Sequence, residues 1–181
     1  MLTKLPIIYA GIGSRKTPDS VLKDMFKAAR GLASLGCILR SGGAAGADTA
    51  FERGCDALKG RKEIYLPYKG FRGNNSPLHG SCIDARRIAK QFHPNWGVLG
   101  ENARDFMGRN SYPILGSALC LPCAFILCWT QNGRVEGGTG QALRIAAHFK
   151  IPVFNFGSRT KDEINDAMLR LIEEKESVSA A

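Results

Sequence analysis

A chain of 181 residues with 44% hydrophobic and 23% charged residues is long enough to bury one sizeable core, and this composition excludes a disordered or fibrous protein. Lys and Arg number 25 against 16 Asp and Glu, a net charge of +9, which favours anionic partners such as nucleotides, nucleic acid or acidic surfaces. No basic run exceeds two residues, no segment reaches the ~18 apolar residues of a membrane helix, and the first residues lack a signal-peptide stretch, so a polybasic tail and a membrane role are set aside and a cytoplasmic location is expected.

In chain order, Ile7–Ala10 reads as a buried strand stopped by Gly11-Ile12-Gly13, with Ser14 and Arg15 in the turn that follows. Thr17-Pro18-Asp19 carries helix-start chemistry, and Val21, Met25, Ala28, Ala29 and Leu32 give one apolar face to a helix that ends at Gly36. Cys37–Arg40 is a second strand. It runs into Ser41-Gly42-Gly43-Ala44-Ala45-Gly46-Ala47-Asp48, which opens a helix through Ala50, Phe51 and Cys55 to about Gly60. Glu63–Pro67 is a third strand, 68–80 a glycine- and asparagine-rich loop, and Ile83–Phe92 a helix. A second helical stretch runs from Glu101 to Asn110 and stops before Pro113. Ala124–Trp129 is the most hydrophobic strand and is expected at the sheet centre. Glu136-Gly137-Gly138-Thr139-Gly140 follows as a second glycine turn, then a helix over Gln141–Phe149, a strand at Ile151–Phe154 and a closing helix from Lys161 to Glu174. Alternating strands and helices joined by tight glycine turns predict parallel βαβ units, a doubly wound α/β sheet in a single domain over 1–176, with 177–181 fraying.

A strand, a glycine turn and a helix together build a nest of backbone N–H groups at the positive end of a helix dipole, the usual seat of a phosphate. Three such turns point to a nucleotide or nucleotide-derived ligand. Asp48 and Glu52 lie four apart, on one face of the first turn of their helix. Either could bind a ribose hydroxyl or act as a base; equally, Asp48 could cap the helix and Glu52 could pair with Arg53 or a lysine. Arg109 and Asn110, with Arg104 nearby, suit phosphate and a base edge or ribose, unless they are a solvated helix face. Phe71 and Trp129 could stack on a base or belong to the core. Six scattered cysteines read as reduced, buried thiols. Cys120-Leu121-Pro122-Cys123 has the spacing of a redox or zinc pair, but there is no second pair and neither His93 nor His148 has ligand spacing to it, so no metal and no cofactor is assigned.

The patterns Gly11-Ile12-Gly13-Ser14-Arg15, Ser41–Glu52 and Gly137-Gly138-Thr139-Gly140 resemble the SLOG superfamily, the Rossmann-like group that holds the Smf/DprA proteins and the LOG phosphoribohydrolases. The Gly-Ala-Asp form at 46–48 most resembles its YspA/YpsA-like branch, and the resemblance spans roughly 6–156. It implies a nucleotide held by both glycine turns and self-association, for which the apolar stretch Leu115–Pro122 gives slight independent support. It also implies one of two activities, release of a base from a nucleoside monophosphate or binding of single-stranded DNA; a sensor that only binds its ligand is the further alternative. LOG proteins carry Pro-Gly-Gly-x-Gly-Thr-x-x-Glu at the second turn. Here Glu136, Gln141 and Arg144 replace the proline, the threonine and the catalytic glutamate, so any catalysis falls to Asp48, Glu52 or Glu136.

Overall fold

The computed structural model describes residues 6–178. Five strands form one parallel sheet: β1 (Ile8–Gly13), β2 (Ile38–Ser41), β3 (Lys62–Ile64), β4 (Phe125–Trp129) and β5 (Val153–Asn155), in the order β3-β2-β1-β4-β5. The helices are α1 (Asp19–Ser34), α2 (Ala47–Asp56), α3 (Ile83–Phe92), α4 (Glu101–Arg109), α5 (Tyr112–Leu115), α6 (Gly137–His148) and α7 (Lys161–Val178). Among the described residues no helix is long and apolar enough to cross a membrane.

Both faces of a parallel sheet are covered by helices, so its central strands β1 and β4 are apolar on both sides. Tyr9, Phe125, Leu127 and Phe154 point to one side, against Met25, Ala29 and Leu32 of α1, Phe51 of α2 and Ile164 and Met168 of α7. Ala10, Ile12, Ile126 and Cys128 point to the other, against Ile114 and Leu115 of α5 and Leu143, Ile145 and Ala146 of α6. The period-two alternation along β1 and β4 thus assigns each side chain its layer. The sheet order reverses between β1 and β4. A crevice opens there beyond the strands' C-terminal ends, the place where open α/β sheets bind ligands.

Four local expectations change. β1 does not stop at its glycines but runs through them to Gly13. A Cβ at Gly11 would stand 2.6 Å from Phe51 Cγ, and one at Gly13 would stand 2.6 Å from Ala47 Cβ. These glycines are there so that α2 can lie against the strand, not to make a turn. The second glycine motif is likewise not a turn before a helix: α6 starts at Gly137, so Gly138, Thr139 and Gly140 form its first turn. Helix α4 stops before Pro113 as expected, and Pro113 itself sits in the first turn of a further helix, α5, where its missing N–H costs nothing. The Leu115–Pro122 stretch is divided, with Leu115 in the core and Leu121 exposed. Helix α7 continues to Val178; the rest of the tail expected to fray, 179–181, lies outside the described residues.

Candidate functional site

A cleft of about 690 Å³ occupies the crevice. Its floor is Gly13 and Ser14 at the end of β1 and Thr130 after β4. One wall is α4, through Ala103, Phe106, Met107 and Arg109, with Asn110 just past its end, and the other is the first turn of α6, through Gly137, Gly138 and Thr139. Asp48 and Ala44 close its deep end, while Arg15, Lys16, Arg134 and Glu136 stand around its mouth.

Its deep end is a pair of buried opposite charges. Asp48, in the first turn of α2, is 4% exposed, and its Oδ2 accepts the Ala44 N–H at 3.2 Å. Burial pushes the Asp48 carboxyl up to about 6, against the pull of the Arg109 charge and of the backbone N–H groups of Ala44, Gly13 and Gly42. Arg109, at the end of α4, is 7% exposed, and its Nε has no hydrogen-bond partner among the described residues. Burial pulls this guanidinium below its ordinary value; Asp48 opposes that shift and Arg15 adds to it. Gly42 makes room for the pair: a Cβ there would overlap Arg109 Nη1 and stand 2.8 Å from Asp48 Oδ2. A buried guanidinium left short of acceptors is a costly arrangement that an arriving anion relieves.

α6 adds a second anion-seeking element. Its first intrahelical bond runs from Gly140 N–H to the Glu136 carbonyl at 2.8 Å, and no side chain caps it. The N–H groups of Gly137, Gly138 and Thr139 therefore have no acceptor within the helix, at the positive end of its dipole. Asn110 fixes this turn to α4 by donating from Nδ2 to the Gly138 carbonyl at 3.3 Å. The loop from β4 is held in turn by Asn155. Its Oδ1 accepts the Thr130 N–H (3.1 Å) and the Gly157 N–H (2.9 Å), while its Nδ2 donates to Thr130 Oγ1 (2.7 Å).

Eleven sequence-predicted residues meet on the cleft: Gly13, Ser14, Arg15, Ala44, Asp48, Arg109, Asn110, Glu136, Gly137, Gly138 and Thr139. The rest do not line it. Gly11, Ser41, Gly42, Gly43, Gly46, Ala47 and Gly140 stand behind its walls, with Ser41 Oγ donating to the Gly11 carbonyl at 2.7 Å. Two N–H groups of the expected nest at 42–48, and two just beyond it, are spent within the chain. The Ala47 N–H goes to Ser14 O, the Thr49 N–H to Ala44 O and the Ala50 N–H to Gly46 O, while Asp48 takes that of Ala44. The left-handed φ of Gly43 and Gly46 serves this packing: a Cβ on Gly46 would stand 2.6 Å from the Ser14 carbonyl. Glu52 is a correction. It points toward β3 and the loop beyond it, where Lys62 Nζ (2.8 Å) and Asn74 Nδ2 (3.0 Å) bond it.

Arg144, at the position of the LOG glutamate, donates to the Phe92 carbonyl at 2.6 Å and so closes the end of α3. Gln141 donates from Nε2 to the Ala89 carbonyl at 2.8 Å. Phe71 is core, Trp129 packs against the core, and Arg104 lies 5.8 Å over the Trp96 ring. Cys123 is buried, which pushes its thiol up to about 12, and Cys120 is exposed. Sequence reasoning missed Lys16, Thr130, Arg134 and the apolar wall of Ala103, Phe106 and Met107. The trace it left was an apolar group within the otherwise polar α4.

The fold has known counterparts. DNA processing protein A from Helicobacter pylori, described for its single-stranded DNA binding mode, is 18% identical with a TM-score of 0.54 over 83% of this chain and 65% of that one. DprA from Streptococcus pneumoniae is 17% identical, TM-score 0.53, over 94% of this chain and 57% of its own. The molybdenum cofactor (Moco) carrier protein of Chlamydomonas rheinhardtii is 18% identical, TM-score 0.51, over 91% and 83%. The likeness is one of fold. This chain spans about two thirds or less of the two DprA chains. No protein-family model matches the sequence, and comparison with curated proteins gives no significant match.

Proposed function

We propose that this chain is a SLOG-type binding protein for a nucleotide or nucleotide-derived ligand, held with its phosphoryl group between Arg109 and the first turn of α6. The observation that carries the reading is the buried Arg109, whose Nε has no hydrogen-bond partner among the described residues, on the same cleft as the uncapped helix start. Anion sites of this kind bind through preformed N–H groups and a charge-assisted bond. Ala103, Phe106 and Met107 give the cleft an apolar wall suited to a flat ring, so one ligand would carry both an anionic end and an apolar body. The volume fits the usual range for small-ligand sites, about 300–1,000 Å³. The fold shared with a molybdenum cofactor carrier and with DprA agrees with a ligand of this chemistry. Placement in the YspA/YpsA-like branch rests on Gly46-Ala47-Asp48 alone.

The test is calorimetric titration of a nucleotide panel, monoesters and diesters both, into the parent and into Arg109→Gln. Binding to the parent that weakens at least about tenfold in the variant is expected, the size of one lost charge-assisted hydrogen bond. Equal binding to both proteins would refute the site.

A second reading, cleavage of an N-glycosidic bond in the same ligand, draws on Asp48, the buried carboxylate on the cleft. Neither Glu52, bonded to Lys62, nor position 144, an arginine, offers a carboxylate there. Free base released from a bound nucleotide, and lost in Asp48→Asn, would support it.

A further inference from the structure

The deep end of the cleft is charge-balanced. Ionised Asp48 offsets Arg109, and what remains is the partial positive charge of the α6 terminus, roughly half a unit. A first negative charge arriving there finds the Arg109 Nε, which lacks a partner among the described residues, and the first amides of α6, which have no acceptor within the helix. A second on the same group gains from Arg109 and loses to Asp48 in comparable measure, since both buried side chains border the same space. It also brings the heavier desolvation of a dianion into a buried site. A terminal phosphate monoester carries close to two charges at neutral pH, its second pKa being about 6, whereas a phosphodiester carries one.

We propose that Asp48 is the specificity-determining residue of this anion site, selecting a phosphodiester over a terminal phosphate dianion. The proposal rests on the nucleotide reading of the cleft and narrows its ligand class. Cyclic nucleotides, dinucleotides and single-stranded oligonucleotides share this chemistry. The charged groups around Asp48 are Arg109 from α4, Arg15 from the loop after β1 and, across the cleft, Glu136 at the start of α6; Lys16 and Arg134 stand at the mouth. The raised carboxyl of Asp48 adds a signature: acidification that neutralises it leaves Arg109 unopposed and strengthens the hold on any anion of fixed charge.

The experiment titrates 3′,5′-cyclic AMP, 5′-AMP, the dinucleotide ApA and a short oligo-dA into the full chain and into Asp48→Asn. At pH 8 the parent should bind at least one diester about tenfold or more tighter than AMP, and Asp48→Asn should strengthen AMP about tenfold more than it strengthens that diester. For the parent, lowering the pH from 8 to 5.5 should tighten the diester, whose charge does not change over this range, and the variant should lack that gain. If Asp48→Asn does not fold, the parent's diester-to-AMP ratio and pH profile decide. Binding of cyclic AMP alone, or of ApA or oligo-dA, upholds the proposal and identifies the source of the diester. AMP bound as tightly as every diester at pH 8, or a diester affinity that is flat or falls on acidification, overturns the proposal and leaves the nucleotide site standing. No binding of any of the four overturns both.

Discussion

Asn155 offers the sharpest test of how the fold holds the site. Its side chain is 7% exposed and makes three hydrogen bonds, two of them accepted from the Thr130 and Gly157 N–H groups and one donated to Thr130 Oγ1. Asn155→Ala removes all three. At about 1 kcal/mol each the loss is about 3 kcal/mol, and the two N–H groups stranded without acceptors raise it toward about 5 kcal/mol. Thr130→Val removes only the bond to Oγ1 and should cost about 1 kcal/mol. That bond is shared, so the double variant should fall short of the summed losses by about 1 kcal/mol. Chemical denaturation of the four proteins measures these terms. Thr130 also lies on the cleft floor and begins the loop that delivers α6, so Asn155→Ala should weaken nucleotide binding even where the protein remains folded. A loss under about 1 kcal/mol, or strict additivity with Thr130→Val, would refute the argument that this side chain pins the loop.

Asp48 should make stability depend on pH. Its folded carboxyl, near 6, lies above its ordinary 3.8, so the folded state binds the proton more tightly. The resulting stabilisation is fully present below about pH 4 and is lost as pH rises through 6, about 3 kcal/mol in all. Asp48→Asn should therefore gain stability over the parent at pH 8 and show a flatter denaturation midpoint between pH 4 and 8. The two glycine motifs should respond differently to valine. Gly43→Val, at φ +67° with its Cβ 2.7 Å from Leu66 Cδ2, should lower stability by about 2–4 kcal/mol in denaturation, because it strains the backbone and overpacks the core. Gly138→Val, whose Cβ meets only Asn110 Nδ2 at 3.1 Å, should keep the fold and lose ligand in calorimetry. Arg40→Ala, which strips Glu63 and the Leu121 carbonyl of their buried partner, should cost about 3 kcal/mol, read from the denaturant midpoint.

The sheet was legible because its signal is redundant. The inner strands are short apolar runs near glycine or proline, so Ile38–Ser41 and Phe125–Trp129 appear within a residue of where the sequence places them. Helix α3 matches at both ends. What glycine does at a given position was not legible, because glycine serves a left-handed turn and a close helix–strand approach equally well. At Gly11 and Gly13 the second use holds, and only the position of α2 reveals it. Glu52 misled for a related reason: its partners Lys62 and Asn74 come from β3 and the loop beyond, and no local spacing marks them. Arg109 and Asn110 were legible as candidates, but burial, which separates a solvated helix face from a site, belongs to the tertiary structure.

The same distinction explains why the two glycine motifs have diverged in use. At the first, the chain supplies its own anion: Asp48 occupies the start of α2, takes the Ala44 N–H and stands close enough to Arg109 that Gly42 has no room for a side chain. At the second, no side chain caps the start of α6, and its three leading residues line the cleft. One helix start is therefore satisfied from within and the other is open, and Arg109 lines the cleft that both border. The internal carboxylate sets the charge that an external ligand encounters. A residue that reads in the sequence as a helix cap thus controls what binds at the other helix, through a guanidinium that neither helix contributes.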